Sequence, residues 1–183
     1  TTSVLLNDSF NGATIVPGTT PVTASLVTPV TGYTMAADGV ITVAPGLTPV
    51  ATTLTYRVCE NAVPTNCGQA TALVAVRPNA ADDTLGAGTG TTVLNVAAND
   101  TLPLNPVFTV SGAPLNGTAV VNGDNSISYT PNPGFTGTDS FTYQVCLPAP
   151  NLNVCDTALV GVTVSATTLQ AVSDNFDGSP TLP

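Results

Sequence analysis

Four cysteines are the residues of this chain whose type and spacing could carry covalent chemistry. They form two close pairs, Cys59 with Cys67 and Cys146 with Cys155. Four cysteines allow three pairings, and their places in an internal repeat favour a disulfide within each close pair. Such a bond stabilises a fold by roughly 2–3 kcal/mol and indicates export to an oxidising compartment. A metal site is the weaker alternative, because neither spacing is CxxC.

The charged residues exclude most catalytic and nucleic-acid-binding classes. Eleven acidic residues stand against two basic ones, Arg57 and Arg77, and there is no histidine, lysine or tryptophan. Without histidine or lysine there is no Ser-His-Asp or Cys-His system, histidine-bound metal, Schiff base or Lys-Asn cross-link. The net charge of -9 disfavours nucleic acid and anionic membranes as partners. We therefore predict a protein that is not an enzyme.

The remaining composition is typical of an all-β protein. Thr and Val are abundant and favour strands, while 16 Gly and 16 Pro separate short segments. The hydrophobic share of 43% is too high for a disordered chain. No apolar run reaches the roughly 18 residues of a membrane span. No signal peptide opens the chain, so we expect Thr1 to begin a mature or excised segment.

An internal repeat with a period of about 92 residues divides the chain into almost two units. The matching segments are Leu6–Ser9 with Ala98–Thr101, Thr55–Cys59 with Thr142–Cys146, Ala70–Val74 with Asp156–Val160, and Ala81–Asp83 with Ser173–Asn175. Because four separate segments recur at nearly the same spacing, the repeat predicts two domains of one kind.

The two units are cut out of phase. The second unit opens with Ala80–Thr84, whereas the first begins at Thr1, the equivalent of Thr91. The missing opening appears at the far end of the chain, from Ala171 to Pro183. The sequence thus predicts that residues 1–79 form a β-sandwich lacking its own first strand and residues 80–166 a complete one. Residues 167–183 are the predicted first strand of a following unit.

Two explanations of this phase remain open. The chain is a window from a longer covalent tandem array, or the C-terminal segment of one chain fills the strand position at the N-terminal domain of the next by β-augmentation. Both predict a head-to-tail filament of identical repeats or subunits, and they differ in whether a covalent bond crosses each junction.

Alternating apolar residues predict the strands. Ser140–Cys146 and Asp156–Val164 alternate clearly, and their counterparts in the first unit do the same. Further strands are predicted at 91–97, 106–111, 117–122 and 126–130, between turn signals. About seven strands per unit, without helical periodicity, predict two tandem Ig-like Greek-key β-sandwiches that are phase-shifted by one strand.

The second unit resembles the bacterial Ig-like and cadherin-like tandem repeats of large secreted surface adhesins and fibres. The motifs that carry the resemblance cover nearly all of 80–165 and are Ala81–Thr84, Val93–Asp100, Asn116–Thr118, Tyr129–Tyr143 and Val162–Val164. The first unit departs from the pattern, because Pro45–Pro49 leaves it without a counterpart of Asp139. The resemblance implies an extracellular, cell-surface location and no catalysis.

The resemblance also implies two kinds of site. Cadherin-like relatives often hold calcium near domain junctions, and the matching acidic residues here are Asp82, Asp83, Asp100 and Asp139. The alternative is that these residues cap turns through side-chain hydrogen bonds. Asp-Thr followed by an apolar residue resembles a bacterial O-glycosylation motif and occurs at Thr84, Thr101 and Thr157. No cofactor is required by this interpretation, with calcium as the one candidate.

The sequence thus predicts a non-enzymatic structural repeat of an extracellular filament, fibre or adhesin stalk that assembles head to tail. Donation of residues 171–183 into the next N-terminal domain is the sharper form of this hypothesis. The alternative is an adhesin module that binds surface glycans through its loop tips. Tyr33, Tyr56, Tyr129 and Tyr143 could form a sugar-stacking face, but core packing is the better explanation of these residues.

Overall fold

Strands make up about half of the computed structural model, which describes residues 3–166. The N-terminal part contains β1 (Ser9–Phe10), β2 (Ala13–Thr14), β3 (Val22–Leu26), β4 (Tyr33–Met35), β5 (Ile41–Val43), β6 (Val50–Glu60) and β7 (Cys67–Val76). The C-terminal part contains β8 (Asp83–Ala87), β9 (Thr92–Leu94), β10 (Val107–Gly112), β11 (Gly117–Val121), β12 (Ile127–Pro131), β13 (Gly137–Cys146) and β14 (Cys155–Val164). Short 3-10 helices lie at Val4–Asn7 and Val96–Ala98.

The C-terminal part packs two sheets against one core. One sheet has the order β10-β13-β14-β8 and the other β11-β12-β9. Alternate residues of the long β13–β14 hairpin, such as Phe141, Tyr143 and Val160, point into the core and are buried. The hairpin forms because its apolar residues recur at every second position, which buries one face of a strand.

The N-terminal part has a counterpart of this hairpin and a second core cluster. Its sheets have the orders β3-β6-β7, β4-β5 and β1-β2. The cluster contains Leu5, Ile15, Ala24 and Tyr56. The β6–β7 hairpin is therefore the framework to which the shorter N-terminal elements are attached.

Hairpin register corrects one equivalence between the repeats. Both hairpins end at a disulfide-bonded pair of cysteines. If residues are counted from that pair, Val74 corresponds to Val162 and Ala72 corresponds to Val160. The sequence equivalence, which matches Val74 with Val160, is wrong by two residues. Because the displacement is even, the assignment of each residue to the inner or outer face is unchanged.

The predicted all-β class is confirmed, and the predicted strands of the second unit lie within a few residues of β9 to β14. Across residues 3–166, no helix is long and apolar enough to cross a membrane. The domain boundaries remain a prediction. The strand predicted within 167–183 lies outside the described residues.

The two disulfides join Cys59 to Cys67 and Cys146 to Cys155, which are the pairs that the repeat favours. Each bond lies where the two long strands of a hairpin reach their connecting loop. A bond at this place restricts the loop in the unfolded chain and fixes the register of the hairpin.

We expect replacement of Cys146 and Cys155 by serine to lower the free energy of unfolding by about 2–3 kcal/mol, because the unfolded chain regains loop entropy. Denaturant titration of the variant and the wild type measures the difference. A variant with all four cysteines replaced is the control and should not respond to reductant. An unchanged free energy of unfolding in the double variant would contradict the expectation.

Candidate functional site

Strand β8 completes the edge of the four-stranded sheet in the C-terminal part. It runs parallel to β14, with Asp83 beside Val160 and Leu85 beside Val162. Leu85 points into the core and is 7% exposed. The inward residues of β14 beside β8, Val160, Val162 and Val164, are buried as well. β8 therefore pairs the backbone groups at the edge of β14 and closes one side of the core.

Three residues hold the chain segment that leads into β8, and we call Asn99, Asp100 and Tyr143 the C-terminal clamp. The Asn99 side-chain amide donates to the carbonyl oxygen of Asp82 at 3.1 Å. The backbone N–H of Ala81 donates to Asp100 Oδ1 at 2.8 Å. The Tyr143 hydroxyl lies 3.0 Å from each carboxylate oxygen of Asp100. The clamp thus fixes both backbone and side-chain positions at the entry of the strand.

The clamp brings two carboxylates to one hydroxyl. Tyr143 Oη also lies 3.2 Å from Asp83 Oδ2, and a phenol has one proton to donate. Burial raises the pKa of Asp83, with a smaller rise from the nearby Asp100 carboxylate. Burial likewise raises the pKa of Asp100. Burial and the two carboxylates raise the pKa of Tyr143, so the tyrosine stays a donor at neutral pH.

The N-terminal part repeats the clamp. Asn7, Asp8 and Tyr56, which we call the N-terminal clamp, correspond to Asn99, Asp100 and Tyr143 in the repeat. The Tyr56 hydroxyl donates to Asp8 Oδ2 at 3.0 Å. Burial and this carboxylate raise the pKa of Tyr56. The hydrogen bond from a tyrosine hydroxyl to an aspartate is therefore built twice.

A cavity of about 390 Å³ adjoins the N-terminal clamp. Five of its lining residues correspond to residues that contact the segment 79–83 in the C-terminal part: Asn7, Asp8, Ser9, Tyr56 and Gly68. Their counterparts Asn99, Asp100, Thr101, Tyr143 and Asp156 bind Asp82, Ala81, Asn79, Asp83 and Ala80. The cavity thus corresponds to the place where the entry of β8 lies in the other part.

The outer edge of β7 continues this cavity. Within the described chain, β7 has β6 as its one strand neighbour, whereas the equivalent β14 lies between β13 and β8. The inward residues Ala72, Val74 and Val76 are only half-buried. We call this edge together with the cavity the acceptor groove. It carries counterparts of most of the groups that hold the entry of β8 in the C-terminal part.

Asp139 has a different role from the clamp residues. Its carboxylate accepts hydrogen bonds from the backbone N–H of Asn116 at 2.9 Å and the Tyr129 hydroxyl at 2.9 Å. Burial alone would raise the pKa of Asp139, but the hydrogen bonds outweigh it and lower the pKa. Burial and Asp139 raise the pKa of Tyr129 to about 12. Asp139 therefore fastens the loop before β11 to the start of β13.

The four predicted calcium ligands do not form one cage. Asp139 lies four residues before Tyr143 on β13, and Asp82 accepts from the backbone N–H of Leu159. In residues 3–166 no group of three or more His, Cys, Asp or Glu side chains is placed to hold a metal ion. The carboxylates instead accept protein donors, which fits the capping alternative. Calcium binding stays a prediction, and no later step uses it.

The predicted glycosylation sites lie on the surface, whereas the tyrosines considered for sugar binding are buried. Thr84, Thr101 and Thr157 are all exposed, and their glycosylation stays a prediction. The four tyrosines are buried, Tyr33 at 7% exposure being the most accessible. Core packing therefore explains the tyrosines, and they do not form a sugar-stacking face.

Sequence reasoning missed the N-terminal clamp and the acceptor groove. The repeat contains both Leu6–Ser9 and Thr55–Cys59, so the signal was present in the two matched segments. What the sequence did not show is that the two segments meet, since they are far apart in the chain and belong to different layers.

We expect Tyr143→Phe to lower the free energy of unfolding by about 1–3 kcal/mol, because two partly buried carboxylates lose their shared donor. Tyr33→Phe is the matched control, since it removes a hydroxyl bonded to the neutral Thr52 hydroxyl at 3.0 Å. Denaturant titration compares the two variants. Equal losses for both would show that the carboxylates add nothing to the hydroxyl's contribution.

The free energy of unfolding should reach its maximum at a mildly acidic pH. The raised pKa values of Asp83 and Asp100 mean that the folded state binds their protons more tightly than the unfolded state. Their effect is to increase the free energy of unfolding as pH falls from 7 through the folded pKa values. Asp139 has a lowered pKa, so its contribution is complete above the unfolded pKa and is lost as pH falls through the folded value.

Melting temperatures measured between pH 7 and pH 3 check this pattern. In Asp83→Asn the increase in mild acid should shrink, because one of the two proton-binding groups is gone. Glu60→Gln removes the same charge from the N-terminal part and should retain the increase. A steady decline from pH 7 in the wild type would contradict the predicted sign.

Comparison with known proteins finds a family model that matches the C-terminal part. Residues 74–163 match the model of a bacterial Ig domain. Among curated proteins no sequence matches the chain. With the two disulfides, the family match indicates an extracellular region.

Similar solved structures include an endo-fucoidan hydrolase from glycoside hydrolase family 107, with 17% identity over 82% of this chain and 24% of that one, at a TM-score of 0.37. Human protocadherin-24 EC1-2 has 14% identity, coverage of 80% and 83%, and a TM-score of 0.31. The human desmocollin-1 ectodomain has 12% identity, coverage of 81% and 35%, and a TM-score of 0.32. The chain thus spans about a quarter of the hydrolase. Identities and TM-scores this low say nothing about function.

Proposed function

We propose that the chain, of which residues 74–163 match a bacterial Ig domain, is a non-enzymatic structural module of an extracellular, cell-surface filament or adhesin stalk. Modules join head to tail, each supplying a strand to its neighbour. The observation that carries the proposal is the acceptor groove beside β7. In the C-terminal part the corresponding clamp and edge are filled by β8, which supports a strand as the occupant of the groove.

The donor in this proposal is the segment 171–183 of another copy of the chain. It carries the counterpart of the opening of the second unit, which the first unit lacks. Adding a strand to an exposed edge gains a row of backbone hydrogen bonds and covers half-buried side chains. Ala72, Val74 and Val76 are the side chains that such a strand would cover.

The composition supports a structural rather than a catalytic role. Arg57 and Arg77 are the two basic residues in the sequence, and histidine and lysine are absent. The polar groups in the clamps are carboxylates, amides and tyrosine hydroxyls that hold one another and the backbone. Their donors and acceptors are used to position a strand, which is a mechanical task.

The covalent alternative has the same groove and differs in the polypeptide that supplies the strand. In a longer tandem array the strand that fills the groove would belong to the same polypeptide. In the strand-donation form it belongs to a separate polypeptide. The two forms give the same lengthwise polymer and differ in the mass of the denatured chain.

We expect the purified chain to form lengthwise polymers that fall apart in denaturant to a single species of 18.2 kDa. Electron microscopy shows the polymers, and intact mass under denaturing conditions shows the unit. Deleting 167–183 should abolish polymers, because the donor is gone. A tail of the same composition in scrambled order is the control and should fail equally. Polymers that persist without the tail would refute strand donation.

A further inference from the structure

We propose that the donor segment enters the acceptor groove parallel to β7 in one defined register. In this register Asp174 takes the place of Asp83 beside Ala72, and Phe176 takes the place of Leu85 beside Val74. The inference rests on the proposed function and adds to it the direction of the strand, its register and the side chains that specify them.

The C-terminal part supplies the template for direction and register. There β8 runs parallel to β14, with Asp83 beside Val160 and Leu85 beside Val162. Counted from the disulfides, Val160 corresponds to Ala72 and Val162 to Val74. A strand that copies β8 therefore has its first residue beside Ala72, where the N-terminal clamp can reach it.

Two alignments of the donor segment compete. The repeat as read from Ala81–Asp83 and Ser173–Asn175 would set Asp177 at the place of Leu85. That place is almost fully buried, and burying an unpaired carboxylate is strongly unfavourable. A shift by one residue sets Phe176 there instead. Because a shift of one exchanges the two faces of a strand, the apolar side chain then points inward and the acidic one outward.

Two residues of the N-terminal part that face the proposed position are smaller than their counterparts in the C-terminal part. By hairpin register Leu54 takes the place of Phe141, and Ala72 takes the place of Val160. Both residues are smaller than their counterparts, so the donor can be larger than Leu85. Cores are filled to a nearly constant density. A larger donor residue with smaller residues around it keeps the total side-chain volume similar in the two parts.

The N-terminal clamp selects the same register. With Asp174 beside Ala72, its carboxylate reaches the Tyr56 hydroxyl as Asp83 reaches Tyr143 at 3.2 Å. The backbone before Asp174 then meets Asp8 and Asn7. In the other alignment an asparagine would face Tyr56, and the charge-assisted bond would be lost.

One contact differs between the two sites. In the C-terminal part the Asp156 carboxylate accepts from the backbone N–H of Ala80 at 3.0 Å. The corresponding residue in the N-terminal part is Gly68, which has no side chain. The donor therefore lacks one of the side-chain contacts that hold the entry of β8, and the clamp residues should carry most of the specificity.

Chain reach favours a second copy as the source of the donor segment. β14 has ten residues and is about 31 Å long. Its first residue, Cys155, lies next to Arg77, whose guanidinium donates to the Cys155 carbonyl at 3.3 Å. The ten residues 165–174 span at most about 36 Å. A return along the whole of β14 to Cys155 would take nearly all of this length, and the proposed partner Ala72 lies another five residues before Arg77.

A cysteine pair tests the register in the full chain. Leu73 is 63% exposed, and the proposed register sets Asn175 beside it, as Thr84 lies beside Gly161. Adjacent strands bring such a pair within disulfide distance. We expect Leu73→Cys with Asn175→Cys to give a ladder of linked chains on a non-reducing denaturing gel after mild oxidation. Leu73→Cys with Phe176→Cys is the control and should give little linkage.

The cross-linking results test the register, and polymer formation by the wild type tests the proposed function. A ladder from the control pair would overturn the register, and a linked product of single-chain size would overturn the second copy as donor. If polymers form but neither pair links, the register is wrong while strand donation stands. If the wild type forms no polymers at all, the proposed function fails.

A second pair of variants tests the buried aromatic residue. Phe176→Asp should raise the concentration needed for polymerisation about 100-fold or more, because a carboxylate would replace an apolar side chain in the core. Asn175→Asp adds the same charge on the outer face and should change the concentration needed for polymerisation less than tenfold. Light scattering against protein concentration measures both. Equal effects of the two variants would overturn the inward position of Phe176.

Discussion

An edge strand must be covered, and this constraint organises the whole chain. The long hairpins β6–β7 and β13–β14 each leave one row of backbone groups and one apolar face at their outer edge. In the C-terminal part β8 satisfies both requirements along β14. In the N-terminal part the described residues supply the clamp and the cavity but not the strand. The proposed assembly follows from that difference between two otherwise matching units.

The clamps show how a chain with little charge can still specify a strand. Tyr143 and Asp100 reach the incoming backbone and one of its side chains at once, and burial makes these hydrogen bonds sensitive to geometry. Lysine or glutamate in the same position would lose hydration on burial. The low charge of the chain therefore agrees with surfaces that are covered by neighbouring strands.

β13 and β14 could be predicted from the sequence, because strict alternation of apolar and polar residues indicates a strand with one buried face. The disulfide pairs could also be predicted, through the repeat. The two-residue error in matching β7 with β14 arose because alternating Thr, Ala and Val segments resemble themselves after an even shift. The acceptor groove could not be predicted, since Asp8 and Tyr56 meet only through the packing of separate layers.

The parallel pairing of β8 with β14 has a consequence for any assembly built on it. A joint that copies this pairing relates two different surfaces, a groove and a tail, so it does not close on itself as a symmetric dimer does. Every polymer then has two chemically distinct ends. Growth at the end that presents a free tail stops when a copy without its own tail is added, which makes filament length adjustable by a small fraction of shortened chains.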